Sequence, residues 1–217
     1  MLPVPIQLAL NTVTSLAGVR AVSIVGSRVP NYSNPEADDW DLEVYTNRAG
    51  EPDEEQRRSV WSATPPFDGA RASVVGGMND RFVLDGDHFG FSYYSVESVE
   101  RRLDRLYEGS WDAAEWDVWP EAYAGKLTAC RALWDPEGLV SGWTERLATY
   151  PAAFRLKAIQ ELVFEARGHL QCMRRGAELR DPTYFHLTLS DFTSHLLRLL
   201  FAVHPCGTEG PSGLFGS

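Results

Sequence analysis

The sequence predicts an α+β fold, in which a small mixed β-sheet domain is followed by an α-helical bundle domain. Two observations predict it. Before residue 109 short apolar runs alternate with turn signals, and after it helical periodicity dominates while β-branched residues become fewer. We therefore expect a first domain over residues 1–109 and a helical domain over 110–205. The glycine-rich stretch 206–217 has no periodicity and is predicted to be a disordered tail.

The elements of the first domain follow from apolar spacing and from turn residues. The predicted elements, in chain order, are a helix over 5–16, strands over 21–25, 40–45, 81–84 and 88–94, and a helix from 96 to about 107. Asp85-Gly86 separates the third and fourth strands and favours a hairpin, because a type I′ turn needs positive φ at both central residues. Ser95 is predicted to cap the helix that follows. A small, partly antiparallel sheet results.

The second half is predicted to be helical. The predicted helices cover 111–133 as one or two elements, 152–175 and 184–203. Asp135-Pro136-Glu137-Gly138 is a clear break in the pattern. The last two helices are long and amphipathic, so a bundle is the most economical arrangement.

Composition excludes several classes of protein. With 217 residues, 44% of them hydrophobic, and seven Trp, the chain can build a core and is not of the disordered class. A net charge of -10 argues against a large nucleic-acid partner, which needs a basic face. Three cysteines, Cys130, Cys172 and Cys206, indicate neither a disulfide framework nor a zinc site. A reduced, cytoplasmic compartment fits these cysteines best. No stretch of about 18 apolar residues is free of charge, so we expect a soluble protein without a membrane span.

A phosphate-binding turn is predicted where the first strand ends. Gly26 and Ser27 are small, so backbone N–H groups can approach a phosphate there, and the Ser27 hydroxyl can add a donor. Arg28 follows and is a candidate nucleotide ligand, although a surface cation is the ordinary alternative.

Two aspartates on the next strand indicate a metal site. Asp39 and Asp41 share one strand face, and Asp39 comes twelve residues after Ser27. Two carboxylates that close repel each other unless a cation lies between them. Mg²⁺ bridging to substrate phosphates would satisfy both, because Mg²⁺ usually takes one or two protein carboxylates. The alternative is a solvated acidic strand edge, since Glu36, Asp38 and Glu43 also lie nearby.

The order of strand, Gly-Ser, and Asp-x-Asp resembles the nucleotidyltransferase superfamily with its DNA polymerase beta-like fold, which includes the aminoglycoside, lincosamide and minimal nucleotidyltransferases. Asp38-Asp39-Trp40-Asp41 is similar to the Ser-Asp-Trp-Asp motif of small bacterial members. Asp135-Pro136-Glu137-Gly138 is similar to their Asp-Pro-x-Gly junction, and the resemblance covers about residues 18 to 205.

The resemblance implies transfer of a nucleoside monophosphate from an NTP to a hydroxyl, with release of pyrophosphate. It assigns the triphosphate to Gly26 and Ser27, and it makes Asp39 and Asp41 the Mg²⁺ ligands and catalytic residues. The acceptor would be a small hydroxylated molecule, such as an antibiotic, or a protein. A second copy of the chain or a helical protein are the macromolecular partners that we consider.

The sequence departs from this family pattern at Gly90. Members usually have a third carboxylate just after an Asp-Gly turn, whereas this chain has Phe89-Gly90-Phe91. Glycine can neither bind a metal nor accept a proton, so the alternative function is a weak or inactive nucleotide-binding module, antitoxin-like in character. His88 and Glu43 are the nearest groups that could substitute, and a structural role is the ordinary interpretation of His88.

Three tryptophans and three histidines of the second half are expected to have structural roles. Trp111, Trp116 and Trp119 are expected to pack in a core, with stacking on a base or drug ring as the alternative. His169, His186 and His195 follow one another at spacings of 17 and 9, which match no metal-binding motif. We therefore assign these histidines core or surface roles.

Overall fold

The computed structural model contains a mixed six-stranded β-sheet with strand order β3-β4-β5-β2-β1-β6. The structure describes residues 2–29, 39–47, 52–63, 71–74, 78–84, 87–110 and 120–203. Its strands are β1 (Val19–Val25), β2 (Asp39–Thr46), β3 (Arg71–Val74), β4 (Met78–Leu84), β5 (Asp87–Ser95) and β6 (Arg131–Trp134). β2 pairs with β5 in parallel, and the other pairs are antiparallel.

Helices account for most of the rest of the described chain. They are α1 (Val4–Thr14), α2 (Glu54–Ser62), α3 (Val96–Glu108), α4 (Pro120–Ala129), α5 (Leu139–Leu147), α6 (Ala152–Leu179) and α7 (Pro182–Val203). The predicted α+β fold class is confirmed. The predicted hairpin is confirmed by β4 and β5, which pair from Leu84 and Asp87 outward. Its turn residues, Asp85 and Gly86, lie outside the described residues.

Helix α1 packs on one face of the sheet and forms the main core with it. Apolar residues at helical spacing along α1, including Ile6, Leu10 and Val13, are buried against strand residues such as Leu42 and Phe91. Fully burying one such side chain stabilises the fold by about 1.5–3 kcal/mol. The alternation of β2 places its apolar residues on this face and its acidic residues on the other.

Helix α2, which the apolar pattern did not predict, begins at a capping box. The Gln56 N–H donates to Asp53 Oδ1 at 2.8 Å, and the Asp53 N–H donates to Gln56 Oε1 at 3.0 Å. One turn later, Arg57 reaches Asp80 of β4 in an ion pair whose side chains are 1% and 2% exposed. Trp61 Nε1 donates to Asp80 Oδ2 at 3.0 Å. These contacts tie α2 to the sheet through charged groups that water does not reach.

Helix α5 covers part of the opposite sheet face. The Trp143 ring contacts Tyr45 edge-on, with centroids 4.9 Å apart. The N–H groups of Leu139 and Ser141 donate to the Asp135 carboxylate at 2.7 and 3.0 Å, so Asp135 caps α5. The predicted break at Asp135 is therefore confirmed, and it serves as the start of a helix.

The prediction that residues 111–133 are helical is wrong at its C-terminal end. Residues 120–129 are helical in α4, but 131–134 form β6, which pairs antiparallel with β1 through Ser23 and Ala132. A segment of four residues, here Arg131–Trp134, is too short to show a periodicity of its own, so the open edge of β1 decides its conformation. Trp111, Trp116 and Trp119 lie outside the described residues, as does the tail 206–217.

Contacts divide the described chain into two units. The first holds residues 2–103 and 126–149, so that β6 and α5 belong with the sheet, and the second holds 104–110, 120–125 and 150–203. The long helices α6 and α7 of the second unit form a hairpin, where Asp181 N–H donates to Gly176 O at 3.0 Å. None of the described helices is long and apolar enough to cross a membrane.

Candidate functional site

The acidic face of β2 meets the end of β1. Val25, the last residue of β1, lies opposite Asp41, and Gly26 follows with φ +75° to begin a short 3₁₀ turn over Gly26–Arg28. On the other side, Asp41 lies opposite Gly90 of β5. Asp41 thus occupies a central strand of the sheet, between the predicted phosphate turn and the position at which family resemblance led us to expect a third carboxylate.

The Asp41 carboxylate lies between two glycines. A Cβ added to Gly26 would lie 2.8 Å from Asp41 Oδ2, and a Cβ added to Gly90 would lie 3.2 Å from Asp41 Oδ1. Side chains at both positions would crowd the carboxylate. The two glycines therefore leave room for both oxygens of Asp41 on the open face of the sheet.

Asp39 and His88 form the next cross-strand pair toward the end of the sheet. They lie opposite each other in β2 and β5, and both are exposed. Because alternate residues of a strand share a face, Asp39 and Asp41 point to the same side, about 6.5–7 Å apart along the strand. The structure thus brings together the two predicted metal ligands, with His88 beside them.

Electrostatics makes this face suited to a cation. Partial burial raises the pKa of the Asp41 carboxyl although the residue reaches solvent, and the negative charge of Asp39 raises it further. Lys126 and Arg81 act in the opposite direction. A divalent cation between the aspartates would relieve the repulsion, and carboxylate oxygens are the donors that Mg²⁺ prefers. The residues present therefore fit a Mg²⁺ ion.

Two cationic side chains that lie near Asp41 were not predicted from the sequence as site residues. Arg81 of β4 is exposed and lies opposite Gly90, which places it in the same cross-strand row as Asp41. The position of Arg81 could have been predicted, because a two-residue turn at 85–86 pairs residue 81 with residue 90. Lys126 comes from α4, and no local pattern could have placed it here.

Glu43 does not serve as an open third carboxylate. It is 3% exposed, it forms an ion pair with Lys126, and it accepts a hydrogen bond of 2.7 Å from the Tyr45 hydroxyl. Burial alone would lower the pKa of Lys126, but Glu43, Tyr94 and Asp41 together outweigh it and the pKa is raised. Lys126 therefore stays charged at neutral pH next to the site.

The 3₁₀ turn holds the remaining predicted ligands. Ser27 is half-buried, and the Arg28 guanidinium lies 4.2 Å from the centroid of the Trp40 ring. Arg28 Nη2 also lies 3.8 Å from Asp87 Oδ1. Trp40 and Asp87 alternate along their strands with Asp39 and His88, so Arg28 lies at the same end of the sheet as Asp39 but against the opposite face, and the structure does not bring it together with the aspartates of β2. Glu36 and Asp38 lie outside the described residues.

The raised pKa of Asp41 predicts a stability effect. The folded state binds the Asp41 proton more tightly than the unfolded chain, so the contribution of Asp41 to stability is fully present below its unfolded pKa and is lost as pH rises through its folded pKa. Asp41→Asn should therefore raise Tm at pH 7 without divalent metals, by roughly 1–2 °C after allowing for solvent screening. The gain should vanish near pH 3.

Thermal unfolding in EDTA at both pH values measures this effect. Glu145→Gln, which removes an exposed carboxylate of α5, should leave Tm unchanged at pH 7. A lower Tm for Asp41→Asn at pH 7 would contradict the assigned electrostatics.

Comparison with known proteins relates the chain to a family and to a solved structure. Residues 116–205 match the family described as "Domain of unknown function (DUF4037)". A solved structure of a nucleotidyltransferase-like protein from Exiguobacterium sibiricum 255-15 is similar at 12% identity with a TM-score of 0.42. The match covers 93% of this chain and 56% of that one, so the chain spans little more than half its length. No curated protein is significantly similar.

Proposed function

We propose that the chain binds a nucleoside triphosphate with Mg²⁺ and transfers its nucleoside monophosphate to a hydroxyl, releasing pyrophosphate. The acceptor class is a small hydroxylated molecule or a protein side chain. The observation that carries the proposal is the position of the Asp41 carboxylate, which lies against Gly26 at the predicted phosphate turn. The sequence resemblance adds the reaction type.

The residues of the first unit have separate tasks in this reaction. Asp39 and Asp41 would hold Mg²⁺, which supplies charge stabilisation at the attacking and leaving oxygens when bound. Backbone N–H groups at Gly26 and Ser27 would bind phosphate oxygens. Arg81 and Lys126 supply positive charge on the same face, which favours a polyanionic ligand at the acidic strand.

A second function is favoured by Gly90. This position lies directly opposite Asp41 and carries no group that could activate a hydroxyl. A chain with this site could bind a nucleotide without transferring it, as a regulatory module. Both functions suit a reducing cytoplasm, where thiols such as those of Cys130 and Cys172 remain free.

Nucleotide binding is tested by thermal stabilisation with ATP, GTP, CTP and UTP, each with and without Mg²⁺. At a ligand concentration 100 times Kd, stabilisation is about 2.7 kcal/mol. We expect a Mg²⁺-dependent rise in Tm for one or more nucleotides, and its loss in Asp39→Asn/Asp41→Asn. The matched control is Glu145→Gln/Glu178→Gln, which removes two exposed carboxylates elsewhere and should keep the shift.

Pyrophosphate release then separates the two functions. Release that depends on Asp41 supports the transferase, whereas binding without release supports the regulatory module. In the latter case Gly90→Asp should create turnover, provided that the Asp41 carboxylate moves by a few tenths of an ångström. The absence of any Mg²⁺-dependent shift would overturn both proposals.

A further inference from the structure

The second unit contains a cluster of metal-binding side chains that is separate from the aspartates of β2. Glu165 and His169 lie four residues apart on α6, and Asp191 and His195 lie four residues apart on α7. Residues at this spacing share a helix face. One ligand atom from each of Glu165, His169 and His195 can be chosen so that all three lie within 4.8 Å of one another.

We propose that Glu165, His169 and His195 bind a divalent transition-metal ion of the zinc class, bridging α6 and α7. Four-coordinate zinc has ligand atoms about 2.0–2.2 Å from the metal, hence about 3.4 Å apart. The observed separations need only small side-chain rotations to reach that distance. Glu165 is exposed and therefore has room to rotate toward the two imidazoles.

The two imidazoles already face each other across the hairpin. Their ring centroids are 4.9 Å apart with an interplanar angle of 33°. Two histidines brought this close on neighbouring helices offer two nitrogen donors to one ion. Imidazole donors favour Zn²⁺, Cu²⁺, Ni²⁺ or Fe²⁺ over Mg²⁺ or Ca²⁺, which prefer oxygen. The chemistry of this cluster therefore differs from that of the carboxylates in the first unit.

Two oxygens of Asp191 lie near the Nδ1 atoms of the two histidines, which are the ring atoms that a metal bound at Nε2 would leave free. His195 Nδ1 lies 2.7 Å from the Asp191 carbonyl oxygen, and His169 Nδ1 lies 4.0 Å from Asp191 Oδ2. A histidine that donates its Nδ1–H to an oxygen keeps the Nε2 lone pair for a metal. The 2.7 Å contact of His195 is a hydrogen bond, whereas the 4.0 Å contact of His169 is longer than one. The fourth metal position is left for water.

The test uses the full chain without a histidine tag, stripped with EDTA and titrated with Zn²⁺ against a chromophoric chelator. To silence the carboxylates of the first unit, all variants carry Asp39→Asn/Asp41→Asn. We expect one Zn²⁺ per chain, with affinity at least tenfold weaker in His169→Ala and in His195→Ala. The control is His186→Ala, which removes an exposed histidine of α7 outside the cluster and should change affinity less than twofold.

Two further measurements keep the outcome decisive. Zn²⁺ should raise Tm in the control but not in His195→Ala, and circular dichroism at 25 °C verifies that each variant is folded. Co²⁺ should give visible d–d absorption without a thiolate charge-transfer band, since Cys172 is not a ligand. The proposal is overturned if folded protein shows no saturable Zn²⁺ binding, or if both histidine variants bind like the control.

Discussion

Asp80→Ala is expected to lower the free energy of unfolding by about 3–5 kcal/mol, because it leaves the buried Arg57 guanidinium without its carboxylate. Arg57 Nε donates to Asp80 Oδ1 and Oδ2 at 3.2 and 3.1 Å, and both side chains are almost fully buried. Trp61 Nε1 loses its acceptor in the same variant. For a chain of this length, Tm should fall by roughly 6–20 °C.

Two adjacent arginines of α2 provide the matched comparison. Arg57→Met breaks the buried pair and should destabilise by a similar amount, whereas Arg58→Met removes only an exposed pair with Glu54, worth about 0.5 kcal/mol. Denaturant unfolding of the wild type, Asp80→Ala, Arg57→Met and Arg58→Met measures the free energy that each variant loses. Equal stability of the Arg57 and Arg58 variants would contradict the assignment. The double variant Arg57→Met/Asp80→Leu should recover part of the loss, since no buried charge remains.

Gly26→Ala is expected to destabilise the fold and to weaken nucleotide binding at the proposed site. Its φ of +75° costs an L-residue roughly 1–2 kcal/mol. The new Cβ would also lie 2.8 Å from Asp41 Oδ2, so the carboxylate must move away from the proposed Mg²⁺ position. We expect a loss of at least tenfold in affinity, about 1.4 kcal/mol. Titration of the nucleotide-dependent Tm shift measures it.

Gly138→Ala is the control for backbone strain. Gly138 has φ +70°, close to that of Gly26, but nothing lies within 4 Å of the Cβ it would gain. Both variants should lose stability in the absence of nucleotide because of their positive φ, and only Gly26→Ala should lose nucleotide binding. If both variants bind nucleotide like the wild type, the contact between Gly26 and Asp41 has no functional role.

The elements that local sequence determines were predictable. The dipeptide Asp85-Gly86 predicts a two-residue turn, and the pairing of β4 with β5 is the one that such a turn predicts, residue by residue. The period-two alternation of β2 is by itself enough to assign Asp39 and Asp41 to one strand face. Ser95, predicted as a cap, accepts from the Ser98 N–H at 3.2 Å and begins α3.

Features that depend on tertiary contacts were not predictable. β6 is a strand because β1 has an open edge beside it, and its four residues carry no periodicity of their own. Lys126 reaches Glu43 from a helix more than eighty residues away in sequence. His169 and His195 meet only because α6 and α7 form a hairpin. Their spacing along the sequence matches no metal-binding motif and therefore gave no sign of this contact.

The return of residues 126–149 to the sheet unit has a consequence for folding during synthesis. That late segment supplies the strand β6 that pairs with the edge of β1, the Lys126 partner of Glu43, and the Trp143 ring that contacts Tyr45. A nascent chain that has emerged only to residue 109 holds five strands but leaves the Glu43 carboxylate without its cation. The sheet can therefore reach its final stability only after residue 149 leaves the ribosome, when α6 is just beginning to emerge.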